Sequence, residues 1–229
     1  MKTVQQLPTR RLTVLETAVL VFVGVITLIG IISSRINLPW FENVYVAEDG
    51  FVENLTLVPL LAAAVVSVIY WSRLARHHSH LFSLIMWGIC LFSIFVAGEE
   101  ISWGQRIFGV ESSEFFQRHN AQQETNLHNL VVGGTKINRV IFSQLLTAAM
   151  ALYLLVIPYL YTKKAKWNSF IDWAGIPIPR SYQTIACLAL FAAISLIPSG
   201  KNAEILEGAI VHIFLLILLF PRNAHVFGR

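Results

Sequence analysis

The sequence predicts an all-α, polytopic transmembrane helix bundle of about six spans with both termini cytoplasmic, and three observations carry that reading. Hydrophobic residues make up 55% of the chain and charged residues 13%, at a mean hydropathy of +0.63, where soluble domains carry roughly 25% charged residues. Six windows, about 12–33, 52–71, 81–98, 138–161, 182–198 and 204–220, approach the run of about 20 apolar residues that crosses about 30 Å of hydrocarbon. The last two are the shortest. Of the 17 lysines and arginines only Arg35, Arg106, Arg118, Lys136, Arg139 and Lys201 fall on one side of these windows. The rest share the other side, which positively charged loops mark as cytoplasmic.

Taken in order, a basic lead precedes a first apolar stretch of about 20 residues, longer than the roughly 7–15 of a signal peptide and without a small-x-small cleavage site. It reads as a retained helix. The outer connection Ser34 to Gly50 carries Pro39, Trp40, Phe41 and Tyr45, aromatics suited to the interface belt. Span two opens near Phe51 with Glu53 and Asn54 in its first turn, where negative charge also complements the helix dipole. The connection Ser72 to His80 holds Arg73, Arg76, His77, His78 and His80 and reads as a turn facing solvent or headgroups rather than as a metal site.

Span three ends in an acidic run that begins the outer polar segment 99–137, too long for a structureless connector in a compact protein. The inner connection Tyr161 to Arg180, with three lysines, Trp167, Trp173 and two prolines, fits an amphipathic stretch on the cytoplasmic surface. A turn from Ser199 to Glu204 joins the last two spans. Residues 1–229 form one integral membrane domain, expected in a bacterial inner (plasma) membrane. Cys90 and Cys187 sit inside spans and are expected to pack rather than pair.

A net charge of +4 and a pI near 9.2 do not point to nucleic acid, because the basic residues are spread over several loops without one basic face. Membrane lipids are the expected partner.

Eleven of the 13 carboxylates fall on the outer side. Carboxylates at the end of an apolar helix are costly unless paired, hydrated or metal-bound, so they mark where function lies. The first constellation is Gly98-Glu99-Glu100-Ile101-Ser102-Trp103-Gly104-Gln105-Arg106. If the helix continues through it, Glu99, Ser102 and Arg106 share a face while Glu100 is turned about 100 degrees away. One carboxylate then pairs with Arg106 and the other is left to bind a cation or act as a base. Glu99, Glu100, Ser102 and Arg106 are the candidate catalytic residues.

The second is the polar run Arg118 to Leu130, in which Glu124 and His128 share a face if helical and supply two metal ligands, with Asn126 or Asn129 orienting them. The third is Glu204, Glu207 and His212 at the start of span six. With Glu53, the residues Glu124, His128, Glu204 and His212 form the candidate metal set, a mixed carboxylate–imidazole group of the type that suits zinc or iron. The fourth, Glu42, Glu48, Asp49 and Glu53, offers oxygens to a hard cation such as calcium.

Trp40, Glu42, Tyr45 and Glu53 stand at a spacing similar to the calcium-binding stretch of alkaline ceramidases, multi-pass amidases that use zinc on a lipid amide. The resemblance implies a zinc site with a late His-x3-His. His212 occupies one of those positions and Gly208 the other. The paired Glu99 and Glu100 also resemble the glutamate-dependent intramembrane proteases that process prenylated proteins, although here the arginine follows six residues after Glu100. The run Gly98 to Gly109 with Glu124 to Asn129 resembles the signature of an uncharacterised multi-pass membrane family.

These residues favour a metal-dependent hydrolase, with zinc or another divalent metal, acting on a lipid or lipid-linked substrate at the outer interface. A cation- or proton-coupled transporter, expected to be a homo-oligomer, and a non-catalytic subunit of a membrane complex are the alternatives.

Overall fold

The computed structural model describes residues 11–47, 50–127, 129–132, 135–136 and 145–228. Helix α1 (Val14–Ile36) opens on a capping box in which Thr13 Oγ1 accepts from Glu16 N at 3.2 Å and Glu16 Oε2 accepts from Thr13 N at 2.7 Å. Two of the first turn's orphan donors are thereby satisfied. A short turn, α2 (Leu38–Trp40), and a wider turn at Phe41–Tyr45 fold the next connection back on the bundle. There Tyr45 Oη donates to the Ile26 carbonyl at 2.8 Å, and burial pushes the phenol up to about 12.

Helix α3 (Phe51–Leu74) and helix α4 (His80–Glu100) form an antiparallel pair. Ser79 caps α4, its Oγ accepting from Phe82 N at 3.1 Å. The polar segment that follows contains α5 (Gln105–Phe108), α6 (Glu114–His119) and a hairpin of β1 (Val131–Val132) with β2 (Thr135–Lys136). Then α7 (Leu146–Ala151), a wide turn Leu152–Val156 and α8 (Ile157–Lys163) run on as one apolar helix. The chain closes with α9 (Ala165–Ala174), α10 (Ser181–Ile194), α11 (Asn202–Leu219) and a last turn, Ala224–Phe227.

Five helices among the described residues are long and apolar enough to cross a membrane: Val14–Ile36, Phe51–His77, His80–Glu100, Leu146–Lys163 and Asn202–Leu219. The chain is therefore an all-α, multi-pass membrane bundle. The fifth predicted window falls short. Its helix, α10, has 14 residues, which span only about 21 Å. Pro177 and Pro179 lie in the extended stretch before it, and a turn whose Leu196 and Ile197 amides bond back to Ala193 and Ile194 ends it. The start of the fourth window, at 138, lies outside the described residues.

Helix α11 is the most buried span and packs against α1, α3 and α10. Gly208 permits its close approach to α3, since a Cβ there would lie 3.1 Å from Val52 Cγ1 and 3.2 Å from the Val52 carbonyl oxygen. One apolar cluster joins α1, α10 and α11 through Val23, Ile26, Leu190, Ile194 and Ile213. A second wedges Phe227 between Tyr70 and Phe82. The opposite helix faces carry exposed Val21, Leu28, Leu61, Leu91 and Leu152, the composition that lipid requires.

The bundle has two chemically distinct ends. At the acidic end, the close of α1 meets the turn before α11, with Arg35 donating to the Leu196 carbonyl at 2.7 Å and Ser199 to Glu42 at 2.6 Å. At the basic end, Arg180 lies 3.7 Å from Glu16, and Ser79 donates to the Trp173 carbonyl at 2.7 Å.

Candidate functional site at the acidic end

Helix α4 does not continue through the acidic run. It stops at Glu100, and Ser102, Trp103 and Gly104 follow with φ of 47°, 55° and 75°. Left-handed backbone at two consecutive non-glycine residues is unfavourable. It persists because the side chains over-determine it. Trp103 folds back over α4, its Nε1 donating to Glu99 Oε1 at 2.9 Å, and Gly98 leaves room for the indole, which a Cβ would approach to 2.8 Å. Glu99 Oε2 accepts from Leu127 N at 2.5 Å. The predicted shared helical face of Glu99, Ser102 and Arg106 is therefore replaced by a turn, and Arg106 lies in α5.

The second polar run is not helical either. Between Asn120 and Leu130, which form an antiparallel bridge, short polar side chains bond to nearby backbone and displace the helix. Asn120 Oδ1 accepts from Gln122 N at 2.8 Å and Glu124 N at 3.3 Å, while its Nδ2 donates to Asn126 Oδ1 at 2.8 Å. Ser102 Oγ donates to Glu124 Oε2 at 2.6 Å, and Asn126 Nδ2 donates to Ser102 Oγ at 2.9 Å. Gln105 Oε1 accepts from Thr125 N at 2.8 Å and Ser112 Oγ at 2.9 Å. Ser102, Asn120 and Asn126 are all buried. Residues 120–127 thus form a polar cap stitched to the end of α4, with Glu99, Ser102 and Glu124 as its fastenings. His128 lies outside the described residues.

At this end three helices contribute four carboxylates within electrostatic reach of one another at Glu207. Glu53 comes from the first turn of α3, Glu100 from the last residue of α4, and Glu204 and Glu207 from the first two turns of α11. Glu207 feels the charges of Glu100, Glu204 and Glu53. Thr56 Oγ1 donates to Glu100 Oε2 at 3.4 Å and to the Glu53 carbonyl at 2.5 Å, which ties α3 to α4 at this point. Glu207 is exposed although its helix is the most buried of the spans. Among the described residues it has neither a hydrogen-bond donor nor a cationic partner.

Comparison with protein-family models, curated proteins and solved structures gave no match. The site is read from its geometry.

The expected metal set is not gathered in one place. Glu53 and Glu204 belong to the carboxylate group and Glu124 to the cap. His212 lies in α11, where its Nδ1 bonds the Gly208 carbonyl at 2.7 Å and its ring stands 5.2 Å from Phe22. A carbonyl only accepts, so Nδ1 carries the hydrogen and Nε2 is the free lone pair of the neutral ring. Among the described residues no three His, Cys, Asp or Glu side chains converge to hold a metal ion. In the fourth constellation Glu42 accepts from Ser199, Glu53 faces Glu207, and Glu48 and Asp49 lie outside the described residues.

The sequence places Glu16 and Asp172 toward the inner side but assigns them no site; at this basic end Glu16 is fully buried, accepts from Tyr182 Oη at 2.5 Å and lies near Arg180. Asp172 there accepts from Asn223 Nδ2 at 3.1 Å and pairs with His225 at 3.0 Å. The Thr13-x-x-Glu16 capping box was the available signal for Glu16. For Asp172 the sequence carries no such signal, because Asn223 and His225, two of its three partners among the described residues, lie 51 and 53 residues away in the chain.

Proposed function

We propose that the acidic end is a hydrolytic site for a lipid or lipid-linked substrate, in which Glu207 is the general base and Glu53, Glu100 and Glu204 set the electrostatics around it. The observation that carries the reading is Glu207 itself: a carboxylate inside a membrane-spanning helix, exposed, without a hydrogen-bond donor among the described residues, and within electrostatic reach of Glu100, Glu204 and Glu53. Glu207 takes a proton from water as the oxygen attacks the substrate's acyl or phosphoryl centre, and the departing group then receives that proton.

A transport reading draws support from the second polar cluster, Glu16 with Tyr182 and Gln183, at the basic end. Between it and His212 lie Ile213, Leu216 and Ile217, all fully or almost fully buried. That dry layer supports a site open to one side.

The test is lipid hydrolysis by detergent-purified protein, wild type beside Glu207→Gln. The expected result is product release by the wild type and its loss in Glu207→Gln without loss of thermal stability. Wild type that releases no product from phospholipid, ceramide or prenyl-phosphate substrates overturns the hydrolase and brings transport forward, and full activity in Glu207→Gln overturns Glu207 as the base.

A further inference from the structure

At the opposite end of the molecule, α8 is a membrane-spanning helix as far as Lys163, and α9 begins at Ala165. The chain has no distance in which to leave the membrane surface, so α9 starts at headgroup depth. Its ten residues are about 15 Å long, and its orientation is set by contacts on one side. Ile171 and Ala174 are buried, and Asn168 donates to the Tyr161 carbonyl at 3.3 Å. Asp172, the one carboxylate of α9, is held by Asn223, His225 and Tyr161. Beyond Ala174, Gly175 turns the chain with φ 72° at a point where the Phe82 ring leaves no space for a Cβ, and Ser79 fastens the Trp173 carbonyl. The helix is clamped against α4 and the C-terminal turn.

The other side of α9 is an aromatic strip. Trp167, Phe170 and Trp173 are 48%, 44% and 56% exposed. Their rings contact each other in series, with centroids 6.1 Å and 6.0 Å apart. Lys163, Lys164 and Lys166 flank the strip and are exposed. Three large aromatics in water would be an unusual patch for a ten-residue helix; at an interface they are at home, with lysine stems reaching to phosphates.

We infer that α9 is a binding site for anionic phospholipid: Lys163, Lys164 and Lys166 take the headgroup phosphate, and Trp167, Phe170 and Trp173 sit at the glycerol and upper acyl level. The occupant is the bilayer that α8 has just crossed, and the charge is complementary because the acid of α9 is turned inward and already bonded. This site is independent of the carboxylates at the acidic end.

The experiment is tryptophan quenching in liposomes that contain phosphatidylglycerol or phosphatidylcholine with brominated acyl chains. The signal of Trp167 and Trp173 is isolated by subtracting the variant W167F/W173F. Brominated phosphatidylglycerol is expected to quench that signal several-fold more strongly, each lysine contributing on the order of five-fold in local affinity at low salt. The variant K163Q/K164Q/K166Q is expected to lose the preference while brominated phosphatidylcholine still quenches it as in the wild type. Should that variant not fold, raising the salt on wild type must shrink the preference. Equal quenching by the two lipids overturns the anionic site. Absence of quenching by either overturns the membrane seating of the strip altogether.

Discussion

Ser102 and Glu124, separated by 22 positions in the chain, are joined by a 2.6 Å hydrogen bond at the boundary between the last membrane-embedded turn of α4 and the polar cap. Asn126 donates to both partners, at 2.9 Å to Ser102 Oγ and 3.3 Å to Glu124 Oε2. The arrangement is closed, because Ser102 and Asn126 are 2% and 1% exposed. A hydroxyl so enclosed fastens residues 124–126 to the end of α4.

Replacing Ser102 with alanine removes the donor to Glu124 and an acceptor for Asn126 in a buried setting. The expected cost is about 1–3 kcal/mol, confined to the cap. Hydrogen exchange should therefore accelerate at backbone amides of residues 120–127 and stay unchanged in α3 and α11. Uniform acceleration across the bundle would show that the network supports the whole fold instead.

Gly98→Ala places a methyl 2.8 Å from the Trp103 ring. The indole must shift, and with it goes its bond to Glu99. A loss of about 1–3 kcal/mol is expected from such overpacking, together with a change in tryptophan emission that Trp103→Phe abolishes. Wild-type thermal stability in Gly98→Ala would mean that the indole moves aside freely.

Glu207→Gln removes a carboxylate that interacts unfavourably with Glu100, Glu204 and Glu53. Differential scanning fluorimetry in detergent should find the variant as stable as the wild type or more so. A clear loss of stability would show that the Glu207 carboxylate helps hold this end of the bundle together.

His78 lies between two spans and stacks on Phe82, ring centroids 4.5 Å apart. Burial, followed by the neighbouring charge of His77, holds its pKa below the ordinary 6.5. A histidine whose folded pKa is lowered binds its proton more readily in the unfolded chain. Its contribution to stability is present above about 6.5 and is lost as pH falls from there through the folded value. Melting temperatures between neutral pH and mild acid should fall less steeply in His78→Gln than in the wild type, and equal slopes would remove His78 from the account.

Hydropathy exposed the spans because lipid demands long apolar runs whatever their partners, and α1, α3, α4 and α11 follow the predicted windows closely. The shortness of α10 was less visible, since its ends are set by a proline-bearing approach and a turn within a continuously apolar stretch. In the site, Glu99, Glu100, Ser102, Glu124, Glu53 and Glu204 were all legible as costly polar groups. Their division into a cap network and a carboxylate group was not. That division depends on the left-handed Ser102 and Trp103, for which the neighbouring Gly104 is the sole local signal, and on Asn120 and Asn126 choosing backbone partners over a helix. Glu207 was visible beside Glu204, but its facing Glu53 and Glu100 follows from the Gly208–Val52 contact between α3 and α11.

The short α10 also bears on how a bilayer would meet the protein. Its exposed side, with Ile185 64% and Leu188 46% exposed, offers an apolar height of about 21 Å, against about 30 Å of hydrocarbon. Lipid beside that flank would have to shorten, tilt or splay to cover it, while lipid beside the longer α1 and α3 would not.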